Sequence, residues 1–379
     1  MTGKQFGGWR LERQTSPSRR AVVGVALGAI VAALVATGLI FMAYGLNPFS
    51  AYATILSSTL GNVRGFTEVL RKSIPLLLAG VGLVLAFRAQ FWNIGAEGQI
   101  LAGAVAASGV ALFVPLPPPL YLPVMFLAGF LGGALWGLVP ALLKVRLGVN
   151  EIITTLMLNY VALYSVQWLI YGPWKGAATR GMPISDFFPD AAWVPVLPGT
   201  RLPWPTLVLG LLLALFIAFL LARTKLGFEI RVLGQSPHAA RYAGVNFLKT
   251  TLALVLISAG AAGLAGVGEV AGLHHRLIDP EQLSLGYGYT AIIVALLARG
   301  SPIAAIFTAL FLGLVFASGD VMRVSLRLPF QMTGVISGLV LLFMIAGEPL
   351  LRYRLRRAEP PQPALQTAPT AKPDLDRQP

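Results

Sequence analysis

Long, continuous apolar runs govern what this chain can fold into. Ala21–Leu46 is the first, and runs of the same kind recur, among them Ile100–Val114 and Thr250–Leu273. An α-helix of about 20 apolar residues matches the hydrocarbon core of a bilayer, where a helix satisfies its own backbone polar groups. The runs are continuous rather than alternating, which argues against a transmembrane β-barrel. Charged residues make up 12% of the 379, about half their share in a soluble domain. The fold class read from these features is all-α, a polytopic helical integral membrane protein.

Taken in order, residues 1–20 form a basic N-terminus assigned to the cytoplasm, ending in Arg19-Arg20. Residues 21–351 form the transmembrane domain. Spans are expected over 21–46, 73–88, 94–114, 124–143, 150–171, 206–222, 250–273, 288–298, 302–319 and 331–351, about ten in all. The second has an apolar part of about 14 residues, or roughly 21 Å against a core of about 30 Å. It needs a break, a tilt or shelter from neighbours. An even number of spans puts both termini on one side, and most Lys and Arg residues then fall in the segments shared with the N-terminus. The positive-inside rule reads this as N-in and C-in. Residues 172–205 become an outer loop, 227–246 a basic cytoplasmic segment, and 352–379 a cytoplasmic tail of disordered composition.

The net charge of +14 sits between spans, where it sets topology, and no nucleic-acid partner is inferred. There are no cysteines, and the three histidines show no metal-ligand spacing.

Three polar stretches interrupt this scaffold. In Phe87–Gly103, Arg88, Gln90, Asn93, Glu97 and Gln99 stand between two apolar runs, with Gly95 and Gly98 among them. Glu97 fits the first turn of a span, favoured by the helix dipole, with Asn93 as its cap. It equally fits a helix start that lines a substrate cavity. In the second stretch, Asn150 is expected to cap a helix that Glu151 begins. Thr155 and Asn159 share one face, with Tyr160 beside them, a pattern that serves helix–helix hydrogen bonding or a permeation path. The third, Gly227–Asn246, is too polar to span, and Ala239-Ala240-x-x-x-Gly244 gathers small residues that suit a docking helix.

No phosphate-binding G-x-x-x-x-G-K-[ST] motif, nucleophile elbow, zincin or kinase signature is found. With those absences the chain resembles the permease subunits of bacterial ATP-binding-cassette importers, in the branch serving nucleosides and simple sugars. The resemblance rests on FRAQFWNIGAEGQILAGA (87–104), GVNEIITTLMLNYVA (148–162), RVLGQSPHAARYAGVN (231–246) and GYGYTAIIVALLARGSP (286–302). NIGAEGQ with NEIITTLMLNY looks most like the larger permease of nucleoside importers; ribose-type permeases carry looser versions.

The resemblance implies a transport subunit, not an enzyme, in the bacterial inner membrane. Its partners would be a cytoplasmic ATPase, a second and related permease, and an extracytoplasmic binding protein that meets the outer loop. ATP would be bound by the ATPase subunits, and this chain would hold no cofactor or metal. Asn93, Glu97, Gln99, Asn150, Glu151, Asn159 and Tyr160 become candidates for the substrate pathway. Gly234, His238, Ala239, Ala240 and Gly244 become candidates for coupling to the ATPase, although the I-x-L-P that follows this core in other importer classes is missing. The expected cargo is a nucleoside, with a ribose-type sugar as the alternative. A rival reading, an ion-coupled transporter using Glu97, Glu151, Glu269 or Glu348, sits poorly with acids placed near span ends.

Overall fold

The computed structural model describes residues 5–6, 9–13, 19–177, 179, 181–329 and 331–357. They fall into two compact units, one comprising Ala32–Leu342 and the other drawn from the two ends of the chain. In the end unit, β1 (Gln5–Phe6), β2 (Trp9–Arg13) and β3 (Tyr353–Arg357) form an antiparallel sheet in that order. In the register of β2 with β3, Glu12 is the Cα partner of Arg354. The tail expected from 352 onward is therefore ordered through Arg357. Its remainder, 358–379, lies outside the described residues, as do 1–4, 7–8 and 14–18 of the expected N-terminus.

The main unit is helical. Helix α1 (Arg19–Ala43), whose first turns belong to the end unit, is followed by α2 (Pro48–Leu60) at a bend of 113°. Asn47 sets that corner: its side-chain oxygen accepts from the Phe49 N–H at 2.9 Å, and Pro48 opens the new helix. The chain continues through α3 (Val63–Arg88), α4 (Ala96–Phe113), α5 (Tyr121–Leu147), α6 (Glu151–Tyr171) and α7 (Trp204–Arg223). Two short helices, α8 (Lys225–Gln235) and α9 (Pro237–Tyr242), precede α10 (Phe247–Glu269), which runs on into a π-helical turn, Val270–His274. The short α11 (Pro280–Ser284) and α12 (Tyr287–Leu297) lead to α13 (Pro302–Ser325) and α14 (Met332–Arg352).

Among the described residues seven helices are long and apolar enough to cross a membrane, or eight if the bent pair α1–α2 counts as one span. Ten were expected, and one of them is short. The span expected at 288–298 is the 11-residue α12, about 16 Å long and half a bilayer core. The stretch expected at 331–351 forms α14, 21 residues long, the length that a span needs. In contrast, the short span at 73–88 is longer than its apolar part. Asn62 accepts the Gly65 N–H at 2.7 Å, so α3 starts at Val63 and reaches 26 residues, about 39 Å. It does so by pairing its charges: Arg71 makes a bidentate contact with Glu68, and Lys72 Nζ lies 3.4 Å from Asp320 on α13. Buried charges are tolerated when paired in this way.

Helices α3 and α10 form the core, with 94% and 78% of their membrane-length stretches buried, against 22% for α6 and 33% for α7. Glycine brings α4, α5 and α10 together. A Cβ on Gly103 would collide with the Gly263 backbone, and one on Gly263 with Gly129, so these helices touch backbone to backbone, as small residues permit in membranes. Gly263→Val should cost about 1–3 kcal/mol by overpacking, read as a lower midpoint of thermal unfolding in detergent. Gly28→Ala, where the added methyl meets nothing within 4 Å, should leave the midpoint unchanged or raise it.

Candidate substrate pathway

Helix α3 ends at Arg88, and Gln90 turns the chain in the left-handed region, with φ +58°. The backbone then runs without regular structure through Phe91–Ile94 before α4 begins. The Phe91 N–H bonds to the Ala86 carbonyl and the Asn93 N–H to the Phe91 carbonyl, and one face of α6 supplies further partners. Thr155 Oγ1 accepts from the Ile94 N–H at 3.2 Å, and Asn159 donates to the Ile94 carbonyl at 2.9 Å. Asn159 Oδ1 accepts the Gly98 N–H at 2.9 Å. Asn150 caps α6, accepting the Ile152 N–H at 2.8 Å, as its position suggested. Glu151 pairs with Lys144 and faces the Trp92 N–H at 3.4 Å.

Asn93 and Gln99 are fully buried and exchange two side-chain hydrogen bonds of 3.0 Å. Gly95, not Asn93, occupies the capping position of α4. The Asn93 oxygen instead accepts the Gly95 N–H at 3.0 Å and closes the preceding turn, because two residues separate Asn93 from the helix.

Glu97 is the link to the other half of the site. Its carboxylate accepts the Gly288 N–H at 2.8 Å, and the N–H groups of Gly286 and Tyr289 and the Ser284 hydroxyl also face it. These groups crown the N-terminus of α12, where the helix dipole favours a negative charge. Gly288 is required here, since a Cβ would strike the Glu97 backbone. Leu285 and Gly286, both left-handed (φ +47° and +74°), turn the chain from α11 into α12.

A cavity of about 710 Å³ opens beside this junction, within the size range of small-molecule sites. Glu97, Asn159 and Tyr160 line it from α4 and α6, Tyr289 and Thr290 from α12, Phe316 from α13, and Thr333 and Ser337 from α14. Of the seven pathway candidates, Glu97, Asn159 and Tyr160 thus meet on one cavity, while Asn93, Gln99, Asn150 and Glu151 are not in its lining. Tyr289, Thr333 and Ser337 were not singled out from sequence. The available signals were the GYGYT run at the start of α12 and the i, i+4 spacing of two hydroxyls in an apolar helix.

A second cavity, of about 1230 Å³, is rich in charge, with Arg64, Glu68, Arg71, Lys72, Arg201, Asp320 and Arg323 on its wall. It shares Leu285 with the first. Beside it, the 172–205 loop is tied to the segment after α10: Trp193 stacks on His275 at 4.1 Å, and Ser185 and Leu277 exchange backbone and hydroxyl hydrogen bonds of 2.9 Å.

The coupling candidates lie on α8, α9 and the turn after them. Ser236 caps α9 by accepting the Ala239 N–H at 3.2 Å. His238, Ala239 and Gly244 are exposed, Ala240 is buried beneath them, and Tyr242 is 97% exposed. Gly234 abuts the Arg88 carbonyl so closely that any Cβ would clash.

Comparison with known proteins follows the same lines. Residues 65–345 match the family model described as "Branched-chain amino acid transport system / permease component". The chain is 37% identical over 359 residues to a glucose ABC transporter permease protein of Haloferax volcanii, covering 91% of this chain and 94% of that one. It is 31% identical to a nucleoside ABC transporter permease protein of Lactococcus lactis, covering 88% and 93%. A guanosine ABC transporter permease protein of Bacillus subtilis is 29% identical, covering 85% and 93%.

Asn159→Ala leaves the Gly98 N–H and Ile94 carbonyl without partners, and should cost about 1–3 kcal/mol. Thermal unfolding in detergent would show it as a lowered midpoint, with a smaller loss for Asn159→Gln.

Proposed function

The chain belongs to the branched-chain amino acid transport system / permease component family, and on that footing we propose that its cargo is a nucleoside. It is a multi-pass membrane permease of the ABC transporter class and a transport subunit rather than an enzyme, so the ion-coupled rival is set aside. One observation carries the nucleoside reading: the 710 Å³ cavity joins an aromatic wall of Tyr160, Tyr289 and Phe316 to hydroxyl and amide groups. Aromatic faces suit a nucleobase and neutral polar groups suit a pentose. Glu97 and Glu281 are the only charged residues in the described lining. An amino acid would need a cation for its carboxylate, and a nucleotide would need more than one for its phosphate. An uncharged cargo fits best.

A sugar is the second reading, supported by the 37% identity to a permease whose name gives glucose. In either case the working arrangement we infer is an importer of the bacterial inner membrane, with both termini in the cytoplasm. A second permease would complete the pathway. ATP would be bound on separate ATPase subunits, not on this chain, and a binding protein would approach the 172–205 loop. Nucleotide-driven movement of the ATPases would reach this chain through α9 and shift the balance between inward- and outward-open states. The exposed His238, Ala239 and Tyr242 over a buried Ala240 support that docking role.

Uptake of labelled guanosine should depend on this chain and should resist competition by ribose and glucose. Competition by either sugar alone would overturn the nucleoside reading. Tyr160→Ala should lower guanosine uptake about three- to tenfold, the scale of one aromatic contact. Tyr242→Asp should reduce ATP-driven uptake by more than about tenfold, as loss of a central interface tyrosine does, with the amount of chain in the membrane unchanged. Normal uptake in that variant would remove α9 from the coupling role.

A further inference from the structure

Two hydroxyls on α14 stand apart from every other polar group around the central cavity. Thr333 and Ser337 are 2% and 4% exposed, line the cavity, and present oxygens with no hydrogen-bond partner. Helical Ser and Thr ordinarily bond back to a carbonyl three or four residues earlier. Thr155 does so to Glu151 at 2.6 Å, and Ser318 to Leu314 at 2.7 Å. Thr333 and Ser337 do not. The other buried groups left without partners (Ser108, Trp136, Thr251, Ser258, Glu269 and Tyr287) do not line this cavity.

A buried hydroxyl without a partner is costly, and the cost is relieved when a ligand supplies one. The two residues are four apart on one helical face, with Cβ atoms about 5–6 Å from each other. Two neighbouring hydroxyls of a sugar ring bridge such a gap with one hydrogen bond to each side chain, since every hydroxyl both donates and accepts. We propose that Thr333 and Ser337 recognise a vicinal diol on the cargo, and so set the preference of this permease for hydroxylated over deoxygenated substrates. The proposal rests on the central cavity being the cargo's route. It does not depend on whether the diol belongs to a nucleoside or to a free sugar.

The test uses the assembled transporter in proteoliposomes, with its ATPases, second permease and binding protein. ATP-driven uptake of guanosine and of 2′,3′-dideoxyguanosine is compared for the native chain, Thr333→Val, Ser337→Ala and Thr333→Ser. The binding protein is common to all, so its own preference cancels when the guanosine-to-dideoxyguanosine ratio of a variant is divided by that of the native chain. Loss of one neutral hydrogen bond should lower that ratio about fivefold in Thr333→Val and Ser337→Ala. Dideoxyguanosine uptake should stay unchanged, and Thr333→Ser should keep the native ratio. An unchanged ratio, or an equal fall for both substrates, would overturn the proposal. If the native transporter carries ribose or glucose and no nucleoside, the nucleoside reading fails by itself. The same ratio, taken with that sugar and its 2-deoxy form, then decides the diol proposal.

Discussion

Hydrocarbon offers no hydrogen bonds, and that constraint shapes the centre of this protein. Between α3 and α4 the chain leaves helical geometry around the fully buried Asn93, so the N–H and carbonyl groups buried there must find partners within the protein. One face of α6 supplies several of them: Thr155 and Asn159 to Ile94 and Gly98, and Glu151 to Trp92. Glu97 extends the arrangement to α12, whose exposed N–H groups it accepts. Two helix starts and one polar helix face are thereby locked to one another, and the aromatic cavity lies where they meet. Discontinuous helices at a substrate passage are how membrane transporters bring polar backbone to a cargo.

The C-terminal end of α3, where this junction begins, is tied to α8 and to the turn before α13 by close contact rather than by a long chain of residues. Gly234 on α8 rests on the Arg88 carbonyl, and Arg88 Nε donates to the Gly300 carbonyl at 2.8 Å, just before α13. Displacement of α8 would therefore act directly where α3 ends and the irregular segment begins. Gly234 and Gly300 leave no slack, because a side chain at either would overlap Arg88. Packed groups without voids transmit displacement rather than absorb it.

Much of this was legible in the residues. The all-α membrane fold follows from continuous apolar runs, and the polar breaks at 87–103 and 148–162 were visible as departures from them. Asn150 as a cap was readable from local chemistry. The span count was not, because length alone separates a membrane-crossing helix from a short one that its neighbours shelter, and α12 is apolar but only 11 residues long. Charge misled in the other direction at α3, where Arg71 and Lys72 seemed to mark the end of a span until their partners on α3 and α13 appeared. The pairing of β2 with β3 joins the two ends of the chain, and no local pattern reports contacts of such separation. Thr333 and Ser337 escaped notice for a related reason: two hydroxyls in an apolar helix are ordinarily consumed by their own backbone.

Hydrogen-bond completeness is what separates scaffold from site among these polar residues. Asn93 and Gln99 have spent their amides on each other, and Thr155 gives its proton to Glu151 while accepting from Ile94. Asn159 reaches the cavity, yet its amide nitrogen serves Ile94 and the Tyr289 hydroxyl, and its oxygen already takes Gly98. An amide oxygen has a second lone pair and little else to offer. Glu97 is in the same position, with its charge turned to the α12 N-terminus. These residues shape the cavity by holding its walls. Groups still able to form new bonds include the hydroxyls of Thr333 and Ser337 on α14 and the phenols of Tyr160 on α6 and Tyr289 on α12, all neutral. A cavity built in this way offers an uncharged, hydroxyl-bearing molecule a few modest bonds, which is what the proposed route asks of a cargo that has to leave as readily as it enters.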